Sequence, residues 1–258
     1  MRKIIVLLII GLGFTVSCSN GDALNNSSGT ANTVSMNQQT LGSSSKDLLS
    51  DKKFTSMVIE VAYVTGFEPT QTAIDNFVSF LEARTFKPNG ISIVKRAIPS
   101  TGKAPYTNQE IVDIEDANRT KYNTSDQIAV WAFFADGESA SDTSTGVILG
   151  TAYRNTSFVI FEQTVQGLSN SPFEPNRSLL ETTVMTHEFG HILGLTNLGA
   201  AMQSNHEDTV HPKHCNAGSC LMYWSSETGN SIANLASQGS APQLDAQCLA
   251  DLRANGGK

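Results

Sequence analysis

The stretch "NRSLLETTVMTHEFGHILGL", residues 176–195, narrows the possible folds more than any other part of the chain. It reads as one long helix carrying His187, Glu188 and His191. Residues four apart on a helix share a face, about one turn from each other, so the two imidazoles can point at a single metal ion. Glu188 follows the first imidazole and is placed to reach a water on that ion rather than the ion itself. Phe189, Ile192, Leu193 and Leu195 mark the helix as buried, where two unpaired histidines would be costly. The donor set suits Zn2+.

Two histidines leave a zinc site incomplete. Gly194 lets the chain turn out of the helix towards a third ligand, but the position where one is usual holds Asn197. A neutral carboxamide oxygen is a poor zinc donor, which directs attention downstream. "KHCNAGSCLMYW", residues 213–224, offers His214. His206 and Asp208 in the intervening polar stretch, and Asn197 itself, are the alternative ligands.

H-E-x-x-H-x-x-G opens the metzincin pattern, and here the chain resembles the archaemetzincins, whose motif runs from H-x-x-G-x-x directly into H-C-x-x-x-x-C-x-M. His214, Cys215, Cys220 and Met222 stand at that spacing, with residues 197–213 as an insert. The resemblance covers about forty residues of high specificity, together with the order of elements before them. "AQCLADL" is faintly similar to the family's C-terminal Cys-containing helix. The resemblance implies His214 as the third zinc ligand, Met222 in the Met-turn beneath the metal, and a metzincin-like fold. Tyr223 could stabilise an oxyanion or could simply pack beside Trp224. "ILGTAYRN" (148–155) fits the exposed edge strand along which metzincins align peptides by β-addition. The family holds a second, structural zinc on four cysteines, whereas Cys18 apart this chain has only Cys215, Cys220 and Cys248. A Cys₄ site is excluded. The expectation is a disulfide, with Cys215 and Cys220 the natural pair and Cys248 a buried free thiol.

The remaining elements follow from periodicity. Strands are expected at 54–66, 91–98 and 127–136, with two short ones around Arg154 and Asn155. Helices are expected at 68–85, with Pro69 in the first turn, from Thr107, where Glu110 offers a capping box, and at 242–254. The order gives an α/β fold: a twisted mixed sheet with an antiparallel edge strand, an active-site helix, and a mostly irregular C-terminal subdomain with a closing helix. The 127–136 strand, nearly continuous in apolar residues, should be central.

At 258 residues, 40% hydrophobic and 16% charged, the chain suffices for one good-sized core. Its formal charge of −7 leaves no basic footprint for nucleic acid. "MRKIIVLLIIGLGFTVSC" has the basic start and short apolar run of an export signal, residues 1–17, and Cys18 resembles the acylated cysteine of a bacterial lipobox. Residues 18–51, rich in Ser and Asn, read as a flexible tether, and 52–258 as the folded domain, divided into 52–195 and 196–258. The expectation is thus an exported, membrane-anchored lipoprotein of the bacterial cell envelope, periplasmic or at the cell surface, and monomeric. It would hydrolyse peptides or proteins through a zinc-activated water, with Glu188 as general base and acid. A metal-retaining binding lipoprotein without useful turnover is the alternative, and a hydrolase of non-peptide amides a third reading.

Overall fold

A strand without polar alternation has to be buried on both faces, and β3 (Gln127–Phe134) meets that requirement as the middle of a five-stranded sheet. The computed structural model describes residues 33–172, 174–228 and 239–258; the expected export signal and Cys18 lie outside the described residues. With β1 (Ser56–Val64), β2 (Ile91–Ile98), β4 (Gly150–Arg154) and β5 (Ser157–Ile160), the strand order is β2-β1-β3-β5-β4. All neighbours run parallel except β4, which pairs antiparallel with β5 and forms the edge.

The chain steps from β1 outward to β2, then back across β1 to β3. Crossovers of one hand in opposite directions put their helices on opposite faces of the sheet. The core divides accordingly. Ile128, Val130, Ala132 and Phe134 of β3 pack in the larger cluster with Ile74, Phe77 and Leu81. Trp131 and Phe133 join Ile111 and Ile114 in a smaller one.

The helices begin where their caps dictate. After α1 (Ser45–Leu49), α2 (Gln71–Arg84) is capped by the Thr70 side chain, so Pro69 stands before the cap rather than in the first turn. In α3 (Asn108–Asn118) the Thr107–Glu110 capping box is complete. A short helix, α4 (Glu162–Gly167), follows β5 and was not expected. α5 (Arg177–Ile192) carries the histidine motif and is buried from Leu180 onwards. Its Phe189 meets Phe77 edge-on at 5.3 Å between centroids. The closing helix α6 starts at Ala246 rather than Pro242, because Asp245 caps it.

Part of the stretch expected as tether belongs to the fold. Leu48 and Leu49 are fully buried in the larger cluster. The Asn37 amide lies 2.9 Å from both Asn123 Oδ1 and the Ala129 carbonyl. Ser45 donates to the Leu193 carbonyl just past α5, so this segment also supports the end of the histidine helix. A Ser-rich composition hid one apolar pair and a set of polar side chains that find buried partners. Leu49→Ala should therefore lower unfolding free energy by about 2–5 kcal/mol, as for other buried leucines. Denaturant titration showing no change would return residues 45–49 to the tether.

Candidate metal centre

The last turn of α5 sets the site's geometry. Gly194, at φ +82°, ends the helix: its N–H donates to the His191 carbonyl at 3.0 Å, and the Leu195 N–H to the Gly190 carbonyl at 3.1 Å. This pair of bonds is a Schellman closure around a left-handed glycine. A Cβ at Gly194 would lie 2.6 Å from the Ala200 nitrogen, so no other residue fits the turn. The chain then continues through Thr196 and Asn197, both at positive φ.

The insert leaves and returns at one point. The Thr196 hydroxyl donates to the Lys213 carbonyl. Glu207 accepts from the Lys213 N–H at 2.7 Å and from the Asn197 side chain at 3.2 Å. Asp208 N–H donates to the His214 carbonyl at 2.7 Å. The loop base is thereby closed, and His214 arrives opposite α5.

Three imidazoles converge there. Ring centroids are 4.8 Å apart for His187 and His191, 5.4 Å for His187 and His214, and 5.0 Å for His191 and His214. His187 and His191 bring their Nε2 atoms within 3.1 Å. A tetrahedral ion with nitrogen ligands at roughly 2.0–2.1 Å sets them about 3.3 Å apart, so the spacing suits one shared zinc. His187 Nδ1 lies 2.7 Å from the Leu221 carbonyl and His214 Nδ1 3.2 Å from that of Pro212. Donation to those carbonyls leaves each Nε2 lone pair free for a metal. Burial pushes His191 down to about 4, keeping it in the neutral form that a metal needs.

Glu188 sits beside this group, fully buried between α5 and β4. Its Oε2 accepts the Ala152 N–H at 2.7 Å, while Oε1 is buried without a partner among the described residues. Burial, reinforced by the nearby charge of Glu227, holds its carboxyl well above the usual range. Gly150 makes the space, since a Cβ there would lie 2.8 Å from Glu188 Cγ. Met222 packs under α5, its sulfur 2.2 Å from where a Cβ on Gly190 would stand. Tyr223 follows, half-buried and tilted against Trp224.

The other ligand candidates point elsewhere. His206 is buried against Asp251, Nε2 to Oδ2 2.7 Å. Asp208 lies 3.0 Å from His211 Nδ1, and Asn197 turns to Glu207. None belongs to the histidine group. The group instead includes Glu227, which no spacing rule singled out, and its ligand atoms all lie within 4.8 Å of one another.

The expected Cys215–Cys220 disulfide is absent; Cys215, Cys220 and Cys248 are all free and buried. With Asp245 they form a second compact group. The sulfurs of Cys220 and Cys248 are 3.6 Å apart, far beyond an S–S bond and close to the roughly 3.8 Å edge of a zinc–thiolate tetrahedron. Asp245 divides its carboxylate: Oδ1 caps α6 at 2.8 Å from the Cys248 N–H, and Oδ2 faces Cys215 at 3.4 Å. The two neighbouring thiols pull Cys220 down to about 4. Asp245 and Cys248 share the three-residue offset of paired zinc ligands, and Cys215 and Cys220 stand at a C-x4-C spacing that suits zinc as well as a disulfide.

Comparison with solved structures finds the archaemetzincin of Methanopyrus kandleri, at 16% identity and a TM-score of 0.49, over 78% of this chain and 96% of that one. Neither a protein-family model nor a curated protein matches the sequence.

The Gly190–Met222 contact is directly testable. Gly190→Ala drives a methyl into the Met222 sulfur and should destabilise the fold by about 1–3 kcal/mol, the usual range for overpacking. An unchanged thermal midpoint would mean that Met222 does not bear on α5 as described.

Proposed function

We propose that this chain is a zinc-dependent peptidase of metzincin type. The observation that carries the reading is the convergence of His187, His191 and His214 next to a buried Glu188, itself anchored on the backbone of the edge strand. Bound zinc would lower the pKa of a water to about 7 and polarise the scissile carbonyl.

The chain's own groups do the rest. With a bound cation beside it to favour its ionised form, Glu188 would take a proton from the attacking water on its unpartnered Oε1 and pass it to the leaving amine. The Ala152 N–H keeps the carboxylate in place throughout. A substrate backbone adds along the outer side of β4, the edge strand that pairs with β5 on its inner side. Tyr223 is the residue we assign to the oxyanion.

The three cysteines are buried and Asp245 half-buried, and we take the group as a structural zinc site, since four protein ligands leave no open position. From the N-terminal sequence we also propose export and lipid anchoring through Cys18, with a peptide or protein as the partner.

Two experiments test the reading. Glu188→Gln should keep its zinc and lose about 10²–10⁴-fold in peptide turnover, the usual worth of a general base. Undiminished turnover would remove Glu188 from the mechanism, and zinc retention without chelator-sensitive cleavage by both the wild type and a Glu227→Ala chain would favour the binding lipoprotein. Metal content gives the second. The wild type should hold about two zinc ions and His214→Ala about one, with His206→Ala, Asp208→Ala and Asn197→Ala keeping the histidine-bound ion. Full occupancy in His214→Ala would overturn the assignment.

A further inference from the structure

Glu227 is not part of the histidine motif, yet its carboxylate faces all three imidazoles. Oε1 lies 3.2 Å from His214 Nε2, and Oε2 lies 3.6 Å from His187 Nε2 and 3.8 Å from His191 Nε2. Those separations bracket the roughly 3.3 Å edge of a tetrahedron around one zinc ion. The side chain is only 25% exposed, so the carboxylate is held inward rather than solvated.

Its backbone is equally placed. The Glu227 carbonyl accepts the Leu149 N–H at 2.8 Å, and Thr228 forms an antiparallel bridge with Ile148. Ile148 and Leu149 lead directly into β4. Residues 227–228 therefore lie on this edge as an added strand would, the mode by which extended peptides bind sheet edges. A carboxylate among three imidazoles, on a segment paired just ahead of β4, would occupy both a bound metal's remaining position and the start of the edge along which a substrate strand would add.

Resting on the reading of the three histidines as a zinc site, we propose that Glu227 is the fourth protein ligand, so that the chain in this conformation is a latent peptidase. Catalytic zinc keeps one position for water and substrate, whereas four protein ligands make a closed site. Turnover then requires Glu227 to leave the metal and residues 227–228 to leave the edge.

The test uses the full zinc-loaded chain, with acetohydroxamate as a chelating probe of an open zinc position. Calorimetry on the wild type, Glu227→Ala and Glu227→Gln should show binding at least about tenfold tighter in both variants, because the probe no longer competes with a carboxylate. The same variants should release zinc to a chelator faster, having lost a ligand, and should cleave peptides with higher kcat/KM. The wild type provides a measurement independent of variant folding: cobalt substituted at the histidine site should keep its absorption spectrum at probe concentrations that saturate an open site. A wild-type spectrum that changes at those concentrations, or equal affinities in wild type and variants with zinc present on the histidines, overturns the latency and leaves the zinc-site reading standing. Absence of metal from the histidines in the wild type overturns both.

Discussion

Two imidazoles one turn apart on a helix buried along most of its length cannot both be left without partners. His187 and His191 aim their Nε2 atoms at each other across 3.1 Å, and only a shared proton or a shared cation makes that contact favourable. Much of the neighbouring structure follows from this constraint. The Leu221 carbonyl turns His187 to the right tautomer, Gly190 admits Met222 beneath the pair, and Gly150 admits the carboxylate beside it. These contacts place small residues where the backbone must come close to a reactive group.

Delivery of the third imidazole is a loop-closure problem. Residues 197–213 separate the Schellman turn from His214, and closing a flexible loop of that length costs entropy that grows only slowly with its length. The closing contacts are polar and local: Thr196 to Lys213, and Glu207 to both Lys213 and Asn197. Thr196, Asn197 and Lys213 all take positive φ, so the strain of the insert is concentrated at its two ends. His206 anchors the middle on α6 through Asp251. Burial disfavours its charged form, but the carboxylate more than offsets this and raises its pKa. A histidine that competed for the metal in the sequence thus serves to hold the loop.

The sheet and its long helices were legible because periodicity and caps are local. β3 is central as its unbroken apolar run requires, and Thr107 with Glu110 marks the start of α3. The histidine pair was legible for the same reason, since a four-residue offset encodes its own geometry. Other features depend on contacts between distant segments. Leu48 and Leu49 look like an apolar accident in a Ser-rich stretch until α1 packs under the sheet. Cys215 and Cys220 look like a bridge because near neighbours would oxidise in a chain expected to be exported; in the fold Cys248 arrives from α6 and Cys220 faces it instead. Glu227 carries no local signature at all, because its meaning comes only from which three side chains it meets.

The two ligand groups are joined through a single peptide unit. His214 and Cys215 are consecutive, yet the His214 imidazole faces Glu227 at 3.2 Å while the Cys215 sulfur faces Asp245 at 3.4 Å. Cys215 pairs with Glu207 in an isolated antiparallel bridge, and its N–H donates to the Met222 carbonyl at 2.7 Å. One side chain therefore enters the histidine group while the next enters the cysteine group. Leu221, whose carbonyl orients His187, follows directly on Cys220, which belongs to the cysteine group. Order among the three cysteines and Asp245 consequently fixes the backbone on both sides of the histidines. An imidazole arriving on a long polar loop would otherwise sample many positions. Tying its neighbour to α6 is what converts a mobile third donor into a preorganised one.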